Sequence, residues 1–233
     1  GTMIQNTVKR LEGFVDIHNV LVVTNRTQKA LVMKQLENLP EENILVEPVG
    51  RNTAPCIGLA ALHAKQIDPS AVMVVLPADH VIQDAAEFKR VLQLAAETAQ
   101  ESGSLLTIGI KPTHPETGYG YIQMFTEDGN HNPYAARGVY KVKTFAEKPN
   151  IQTAESFIAS GDFLWNSGMF IWRVDAILQE LERCLPDLYF ELMKIEPTIS
   201  AASYQSMLEK AYGIIRGISI DYGVMERAEK VYV

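Results

Sequence analysis

The chain has 233 residues, and 47% of them are hydrophobic, which is enough apolar surface for a packed core and excludes a disordered chain. Its formal net charge of -7 argues against non-specific binding to nucleic acid, and no apolar run is long enough to predict a membrane-spanning helix. Two cysteines are too few for a disulfide framework and belong to no zinc motif, so we expect a reducing, cytoplasmic setting.

The first half of the chain alternates short apolar runs with helical patterns. An amphipathic helix is predicted at the start, and Thr53 is expected to cap the third helix, with Pro55 tolerated in its first turn. The predicted strands are 19–24, 43–47, 72–76 and 105–110, and the helices between them are 27–36, 53–67 and 85–102. This alternation predicts an α/β fold with a doubly wound, mostly parallel sheet.

The second half has a different character, with β-rich segments followed by helices. The predicted strands are 119–124, 140–147, 163–172 and a last one beginning at 231, and the predicted helices are 153–160, 174–185, 188–194 and 203–212. No linker or internal repeat divides the chain. We therefore predict a single domain, with a Rossmann-like mixed sheet and a substrate-binding β insertion.

The most unusual strand is residues 163–172. Its ends are aromatic and β-branched, but its centre is Asn166-Ser167-Gly168. Strand interiors disfavour Asn and Gly, and a Gly there often marks a bulge or a close approach of something to the backbone. A bulge and a ligand site explain this segment equally well.

Polar residues follow the second predicted strand, from Glu47 and Pro48 to Arg51, Asn52 and Thr53. Ligands of open α/β sheets bind at the carboxyl ends of strands. These side chains supply a carboxylate, a guanidinium, an amide and a hydroxyl, which can pair with the edge of a purine such as guanine. The alternative is a capped helix with a surface ion pair.

The third strand ends in Pro77-Ala78-Asp79-His80. An Asp at this place can bind a metal-bound triphosphate, because Mg²⁺ takes one or two protein carboxylates together with phosphate oxygens and water. The alternative is a turn or N-cap aspartate. His80 is expected to form hydrogen bonds within the turn.

Two further segments lie beside predicted strands. Gly118-Tyr119-Gly120 precedes one of them, and glycine allows a ligand to approach backbone N–H groups. Glu147 and Lys148 end another, where the carboxylate can accept from sugar hydroxyls and the ammonium can bind a phosphate. An ordinary loop and a surface ion pair are the alternatives.

Taken together, the motifs EPxxRNTAP, LPADH, ETGYGYI, FxEKP, FLWNSGMFxW and IDYGVME resemble those of the sugar-nucleotide pyrophosphorylases, and among them the mannose-1-phosphate guanylyltransferases. The resemblance extends over essentially the whole chain. It implies a nucleotidyltransferase fold of the glycosyltransferase-A-like type, with a nucleotide-binding part near 1–112 and a sugar-binding part near 113–233.

The resemblance also implies a reaction. GTP and mannose 1-phosphate would give GDP-mannose and pyrophosphate, with Mg²⁺ as cofactor and no covalent protein intermediate. The partners are then these small molecules, with no nucleic acid and no membrane, and we expect a homodimer.

Residue roles follow the matched motifs. Asp79 would bind Mg²⁺ and, with Lys148, act in catalysis. The nucleotide would be bound by Glu47, Pro48, Arg51, Asn52, Thr53, Ala54, Pro77 and Asp79. The sugar phosphate would be bound by Gly118, Tyr119, Glu147, Lys148, Asn166 and Gly168. Asp221, in IDYGVME, has a structural role at least as readily as a catalytic one.

Two motifs of the family are absent from this sequence. One is a loop of the type GGxGxRLxP, which cradles the triphosphate, and the other is a Trp-Ser-Asp segment with a second metal-binding Asp. We therefore expect a fragment that binds nucleotide poorly and turns over little.

Three other interpretations stay open at this stage. The base and sugar could differ, as in glucose-1-phosphate thymidylyl- or uridylyltransferases. The chain could belong to a non-catalytic regulatory subunit that senses a sugar nucleotide. It could also be the first part of a bifunctional protein in which a phosphomannose isomerase domain follows.

Overall fold

The structure is a computed structural model and describes residues 1–126 and 132–233. Helices and strands alternate along most of the chain. The helices are α1 Met3–Arg10, α2 Lys29–Gln35, α3 Thr53–Ile67, α4 Ala85–Ser102, α5 Ile151–Ser160, α6 Val174–Cys184, α7 Pro186–Ile195 and α8 Tyr204–Ile214. The strands are β1 Val22–Asn25, β2 Ile44–Glu47, β3 Val72–Val75, β4 Leu105–Ile110, β5 Tyr121–Met124, β6 Val142–Ala146, β7 Phe163–Arg173 and β8 Val231–Tyr232. Asp221–Met225 forms a π-helical turn.

The main sheet has six strands and is built around the long strand β7. Its order is β6-β5-β7-β4-β8, and β3 also pairs with β7. The pairs β3–β7, β4–β7, β5–β7 and β5–β6 are antiparallel, and β4–β8 is parallel. Strands β1 and β2 form a separate parallel pair. The prediction of a mixed α/β sheet is confirmed.

The expectation of a mostly parallel sheet is wrong for these six strands. The central strand β7 comes late in the chain and runs antiparallel to β3 and β4. Alternating β and α patterns predict neighbouring elements, but they contain no information about the direction of a strand inserted from a distant part of the chain.

Alternating side chains of β7 enter cores on opposite faces of the sheet. Phe170 and Trp172 belong to the core that includes buried residues of α3, α6, α7 and α8. Met169 and Ile171 belong to the core that includes Phe88 and Leu92 of α4. The period of two explains this division. Helices therefore cover both faces, as the doubly wound prediction requires.

The helix ends follow local chemistry, with one correction. Asp84 caps α4 through its side chain, and Gly103 ends that helix in the left-handed region, at φ +63°. The cap of α3 is Asn52 and not Thr53, because Thr53 is the first helical residue and its hydroxyl oxygen accepts from the Ile220 N–H.

Several strand boundaries differ from the prediction. Residues 17–19 form a 3-10 turn, and β1 begins only at Val22, because the Asp16 side chain accepts from the His18 N–H and stabilises the turn. Strand β5 begins at Tyr121, two residues later than predicted. Among the helices of the described residues, none is both long and apolar enough to cross a bilayer.

Candidate active site

A gap in the pairing of β7 defines the candidate site. Ile171 pairs with both β3 and β4, and Trp165 pairs with both β5 and β4, so β3 and β5 share one edge of β7. On that edge the ladder with β5 ends at Trp165, and the ladder with β3 begins at Phe170. Residues 166–169 lie between the two ladders, where no described strand pairs with that edge.

The segment across the gap is also a bulge against β4. Thr107 pairs with Phe170 and Gly109 pairs with Asn166, so two steps along β4 match four steps along β7. Gly168 lies in the left-handed region at φ +69°, which glycine adopts without steric cost. The bulge, one of the two interpretations of this segment, is therefore present, and it lies at an opening in the sheet. A ligand-binding role for it stays a prediction.

The gap brings together three segments singled out in the sequence. A Cβ placed on Gly168 would lie 3.8 Å from Pro77 Cγ, which follows the carboxyl end of β3. At the other side, the Gly120 carbonyl accepts a hydrogen bond of 2.8 Å from the Asn166 N–H. The ends of β3 and β5 therefore converge on the interruption of β7, and Asp79 lies exposed two residues beyond Pro77.

Four side chains next to the gap interact with each other, and we name Glu147, Lys148, Asn166 and Asp221 the carboxylate–amide cluster. Asn166 Nδ2 donates to Asp221 Oδ1 at 2.7 Å, and Lys148 Nζ lies 3.0 Å from Glu147 Oε1. The ion pair that was the alternative interpretation of Glu147 and Lys148 is thus present. The carboxylate of Glu147 is also turned toward the gap, since a Cβ on Gly120 would lie 2.9 Å from Glu147 Oε2.

The cluster has more carboxylates than cations. Burial raises the pKa of Asp221, the Asn166 hydrogen bond lowers it, and the neighbouring Glu147 raises it. Burial and the nearby carboxylates also raise the pKa of Glu226. The hydrogen bond from Lys148 to Glu147 raises the pKa of Lys148. The side chain of Lys148 is 63% exposed, so one ammonium among three carboxyl groups remains open to an anionic ligand.

The second half of the site is the RNTAP loop, which we define as residues 51–55. Its backbone is bonded to the segment before Asp221. The Ile218 N–H donates to the Arg51 carbonyl at 3.2 Å, and the Ala54 N–H donates to the Ile218 carbonyl at 3.0 Å. Asn52 has φ +69°, and its side-chain oxygen accepts from the Thr53 N–H. The loop and residues 218–221 therefore form one connected unit.

The side chains of the RNTAP loop differ in their availability to a ligand. Arg51 donates through Nε to the Tyr212 carbonyl at 3.1 Å, which leaves the outer nitrogens of its guanidinium for other partners. Asn52 and Thr53 are exposed, whereas Ala54 is fully buried. Ala54 therefore shapes the loop but presents no side-chain surface, and its N–H is bonded to the Ile218 carbonyl, so its contact with a nucleotide stays a prediction.

Glu47 lies deeper than its predicted role implies. It is only 9% exposed, and its Oε1 accepts from the Tyr212 hydroxyl at 3.0 Å. Burial raises the pKa of Glu47, and the Tyr212 hydrogen bond lowers it. The structure thus uses this carboxylate to join β2 to α8. Contact between Glu47 and a base stays a prediction, as does contact with the half-buried Pro48.

The loop before β5 forms the rim of the site. The Gly118 N–H donates to Glu116 Oε1 at 2.8 Å, so this backbone donor already has a partner. Tyr119 is 50% exposed, and its ring meets the edge of Trp165 at 5.3 Å between centroids. Tyr119 is therefore available to a ligand, whereas the Gly118 N–H is available only after Glu116 moves.

The described residues contain no group of three or more His, Cys, Asp or Glu side chains placed to hold a metal ion. A single carboxylate, such as that of Asp79, fits the mode in which Mg²⁺ takes one protein carboxylate and fills its other positions with phosphate oxygens and water. Its exposure at the end of the segment after β3 is consistent with that mode.

Sequence reasoning did not include Asp221 among the site residues. The IDYGVME motif was visible, but Asp221 is 55 residues from Asn166 in the chain, and only the fold brings the two side chains together. No local pattern predicts such a pair.

The chain is similar to known proteins in both sequence and structure. Residues 1–210 match the nucleotidyl transferase family. A mannose-1-phosphate guanylyltransferase of Escherichia coli K12 is 41% identical over 240 aligned residues, which cover 100% of this chain and 48% of that protein. The chain thus spans about half the length of the curated relatives it matches.

Two solved structures are similar over nearly the whole chain. A structure from Thermus thermophilus, described as a mannose-1-phosphate geranyltransferase, has a TM-score of 0.85 and 33% identity, covering 100% of this chain and 63% of that chain. A structure from Helicobacter pylori, described as a mannose-6-phosphate isomerase, has a TM-score of 0.79 and 26% identity, covering 99% of this chain and 86% of that chain. The family match, which covers residues 1–210 and so includes β7 with its gap, shows that the chain belongs to the nucleotidyl transferase family.

Proposed function

We propose that the protein containing this chain transfers GMP from GTP to mannose 1-phosphate, giving GDP-mannose and pyrophosphate. The observation that carries the proposal is the convergence of β3, β5 and the carboxylate–amide cluster on the gap in β7. The name of the Escherichia coli relative supports the choice of base and sugar over a thymidylyl- or uridylyltransferase and over a regulatory subunit.

The reaction needs an anionic nucleophile and an anionic electrophile to meet. A phosphate oxygen of mannose 1-phosphate forms a bond to the α-phosphorus of GTP, while the bond from that phosphorus to the pyrophosphate oxygen breaks. No protein group needs to form a covalent bond. Catalysis then consists of holding the two substrates in line and balancing their charge.

Each part of the site has a task in this proposal. Lys148 holds the phosphate of the sugar, because its ammonium is exposed beside the gap. Glu147 accepts hydrogen bonds from sugar hydroxyls, and Asn166 donates a hydrogen bond to one of them. Arg51 and Asn52 present donors to the acceptor atoms O6 and N7 of guanine, because their outer nitrogens are not used within the loop.

Nucleotidyl transferases of this family generally use a divalent metal ion, and we propose Mg²⁺ here. Asp79 would hold it beside the phosphates of GTP. When bound, such an ion neutralises phosphate charge and supports the departure of pyrophosphate.

The test is pyrophosphate release by the full-length gene product in the presence of Mg²⁺. GTP, UTP, dTTP and ATP are each combined with mannose 1-phosphate and glucose 1-phosphate. We expect a signal with GTP and mannose 1-phosphate only. A signal confined to another pair would overturn the base and sugar assignments, and no signal with any pair would favour the regulatory subunit.

One further arm of the assay follows from the Helicobacter pylori structure, whose description names a mannose-6-phosphate isomerase. Mannose 6-phosphate is supplied alone, and fructose 6-phosphate is measured. Activity in this arm from this chain alone, without pyrophosphate release from any pair, would contradict the proposal.

A further inference from the structure

Asp221 occupies a junction between the two halves of the candidate site. It begins the π-helical turn Asp221–Met225, a form of helix that occurs frequently at functional sites. The residue before it, Ile220, donates its N–H to the Thr53 hydroxyl at 2.8 Å. The backbone position of Asp221 is therefore set by the RNTAP loop.

The carboxylate of Asp221 determines how the Asn166 side chain is oriented. An ionised carboxylate only accepts hydrogen bonds, so the Asn166 atom 2.7 Å from Asp221 Oδ1 must be its amide nitrogen. Asn166 Oδ1 then points the other way and accepts from the Gly168 N–H at 3.0 Å. Among the residues that the structure describes, none accepts a hydrogen bond from the second N–H of this amide.

Asn166 is held from its backbone as well. Its N–H donates to the Gly120 carbonyl, so the residue links β5, the bulge at Gly168 and the turn at Asp221. With these three bonds and a longer one of 3.5 Å from the Thr107 hydroxyl to Asn166 Oδ1, the remaining amide N–H has a defined direction. A rotated amide would place its oxygen against the Asp221 carboxylate and its nitrogen against the Gly168 N–H. Both of these side-chain hydrogen bonds would be lost, and the one to the charged carboxylate costs more to break.

Carboxyl groups outnumber cations around Asp221, so this part of the site favours a ligand that donates hydrogen bonds. Glu147 and Lys148 both act on its carboxyl group, and Glu226 of the following turn is close enough to be affected by it. Asp221 bonds to Asn166 through one oxygen, and its other oxygen makes no hydrogen bond to another described residue.

We propose that Asp221 is the positioning residue of the sugar site, which fixes the Asn166 amide so that its free N–H is directed at a hydroxyl of the sugar phosphate. The proposal rests on the proposed function and deepens it. Asp221 acts through Asn166, and its attachment to the RNTAP loop couples the sugar side of the site to the nucleotide side.

The experiment measures KM for each substrate in the full-length gene product carrying Asp221→Ala, Asn166→Ala or both. We expect Asp221→Ala to raise KM for mannose 1-phosphate by about 10- to 100-fold, the effect of losing a hydrogen bond to a charged group, while KM for GTP changes by less than about threefold. Because the two residues act as a unit, the double variant should be less than about threefold worse than the poorer single variant.

Asp221→Asn is the conservative variant. Its amide oxygen can still accept from Asn166, so KM for mannose 1-phosphate should stay within about tenfold of wild type. If Asp221 only maintained the fold, the changes in KM across the three variants would follow the changes in their melting temperatures.

Asp162→Ala is the matched control. Asp162 also accepts from a carboxamide, that of Gln123, at 2.7 Å, but it lies at the far end of β5 and β7 and outside the cluster. We expect this variant to leave both KM values unchanged. A similar rise of KM in Asp162→Ala would assign the effect to loss of stability.

Three results would overturn the proposal. They are an unchanged KM for mannose 1-phosphate in Asp221→Ala, fully multiplicative effects in the double variant, and equal effects on both substrates. If Asp221→Ala does not fold, the exchanged pair Asp221→Asn with Asn166→Asp keeps one carboxylate and one amide. It should recover the melting temperature but leave KM for mannose 1-phosphate raised, because position 166 then has no side-chain N–H for the sugar hydroxyl.

Failure of the proposed function gives a different result. The wild-type protein would then release no pyrophosphate from GTP and mannose 1-phosphate. In that case the role of Asp221 is decided by calorimetric binding of mannose 1-phosphate and of GDP-mannose to the wild type and the same variants. Equal binding by wild type and Asp221→Ala would refute the role.

Discussion

The RNTAP loop and the carboxylate–amide cluster differ in the hydrogen bonds that hold them in place: backbone groups take part in those of the loop, and only side chains take part in those within the cluster. The loop is fixed by two backbone hydrogen bonds to Ile218 and by the Thr53 hydroxyl, which accepts from the Ile220 N–H, and the outer nitrogens of Arg51 bond to none of the described residues. The cluster is fixed by side chains bonded to each other, as Asn166 is to Asp221 and Lys148 is to Glu147. A substitution of Arg51 should therefore leave the two backbone hydrogen bonds of the loop in place, whereas substitutions in the cluster should change binding and geometry together.

The largest effect should come from a residue outside both networks. Asp79 is exposed, so Asp79→Asn should leave the melting temperature unchanged. If the carboxylate holds Mg²⁺, turnover should fall by about 100- to 1,000-fold, the usual size of losing one group that stabilises transition-state charge. The rate of pyrophosphate release at saturating Mg²⁺ measures this fall in turnover.

Asp84→Asn is the control for this prediction. It lies five residues further along and caps α4, and Asn caps helices as well as Asp does. Near-wild-type turnover of Asp79→Asn would remove Asp79 from the mechanism, and an equal loss in Asp84→Asn would indicate a disturbed loop.

A second test concerns the exposed cation of the cluster. Lys148→Ala removes the ammonium, and KM for mannose 1-phosphate should rise by about 10-fold or more, because a charge-assisted contact with a phosphate is lost. The KM for GTP should change little. Lys143→Ala is the control, since Lys143 is exposed on β6. A lower kcat with an unchanged KM would instead place Lys148 on transition-state charge.

A third test separates backbone strain from function at the gap. Gly168→Ala and Gly161→Ala both place a side chain in the left-handed region, at φ +69° and φ +78°. Each should lower the free energy of unfolding by about 1–2 kcal/mol. Only Gly168→Ala should also weaken binding of GDP-mannose, because only Gly168 lies in the gap. Chemical denaturation and calorimetry measure the two effects, and equal binding by both variants would place the ligand elsewhere.

The smallest effect should be a change in the pH dependence of folding stability, caused by Glu47, which precedes the RNTAP loop in the chain. Burial raises the pKa of Glu47, so the folded state binds this proton more tightly than the unfolded state does. The contribution of Glu47 to folding stability is therefore fully present at pH values below the ordinary pKa of Glu. It is lost as the pH rises through the raised pKa. Glu47→Gln keeps an oxygen for Tyr212 but does not titrate.

Thermal melts from pH 4 to pH 7 check this prediction. We expect Glu47→Gln to gain stability relative to the wild type as the pH rises, by about 1 kcal/mol or less. Glu209→Gln, at an exposed carboxylate on α8, should show no such gain. A parallel pH dependence of Glu47→Gln and wild type would contradict the raised pKa, and a higher KM for GTP in Glu47→Gln would bring Glu47 back to the base site.

Most of the elements were predictable because their signals are local. The bounds of α3, α4 and β4 agree with the prediction, since the signals for their ends, such as the Asp84 cap and Gly103 of α4, lie within the element or beside it. The cap at Asn52 was missed because Thr53 looks equally suitable until Ile220 occupies its hydroxyl.

The site was predicted in part for the same reason. Pro77, Gly120 and Asn166 were identified as parts of separate motifs, and the fold brings them to the same gap. The partner of Glu47, however, is Tyr212, 165 residues further along the chain. A sequence shows that a carboxylate is present, but it does not show which distant hydroxyl will take one of its oxygens.

The sequence by itself determined the α/β class, most helices and strands, and the family to which the motifs belong. Only the tertiary structure decided the antiparallel insertion of β7, the gap between β3 and β5, and the bond between Asn166 and Asp221. The physical reason is the range of the interactions. Periodicity and capping act within a few residues, whereas strand pairing and side-chain hydrogen bonds join residues that only the folded chain makes neighbours.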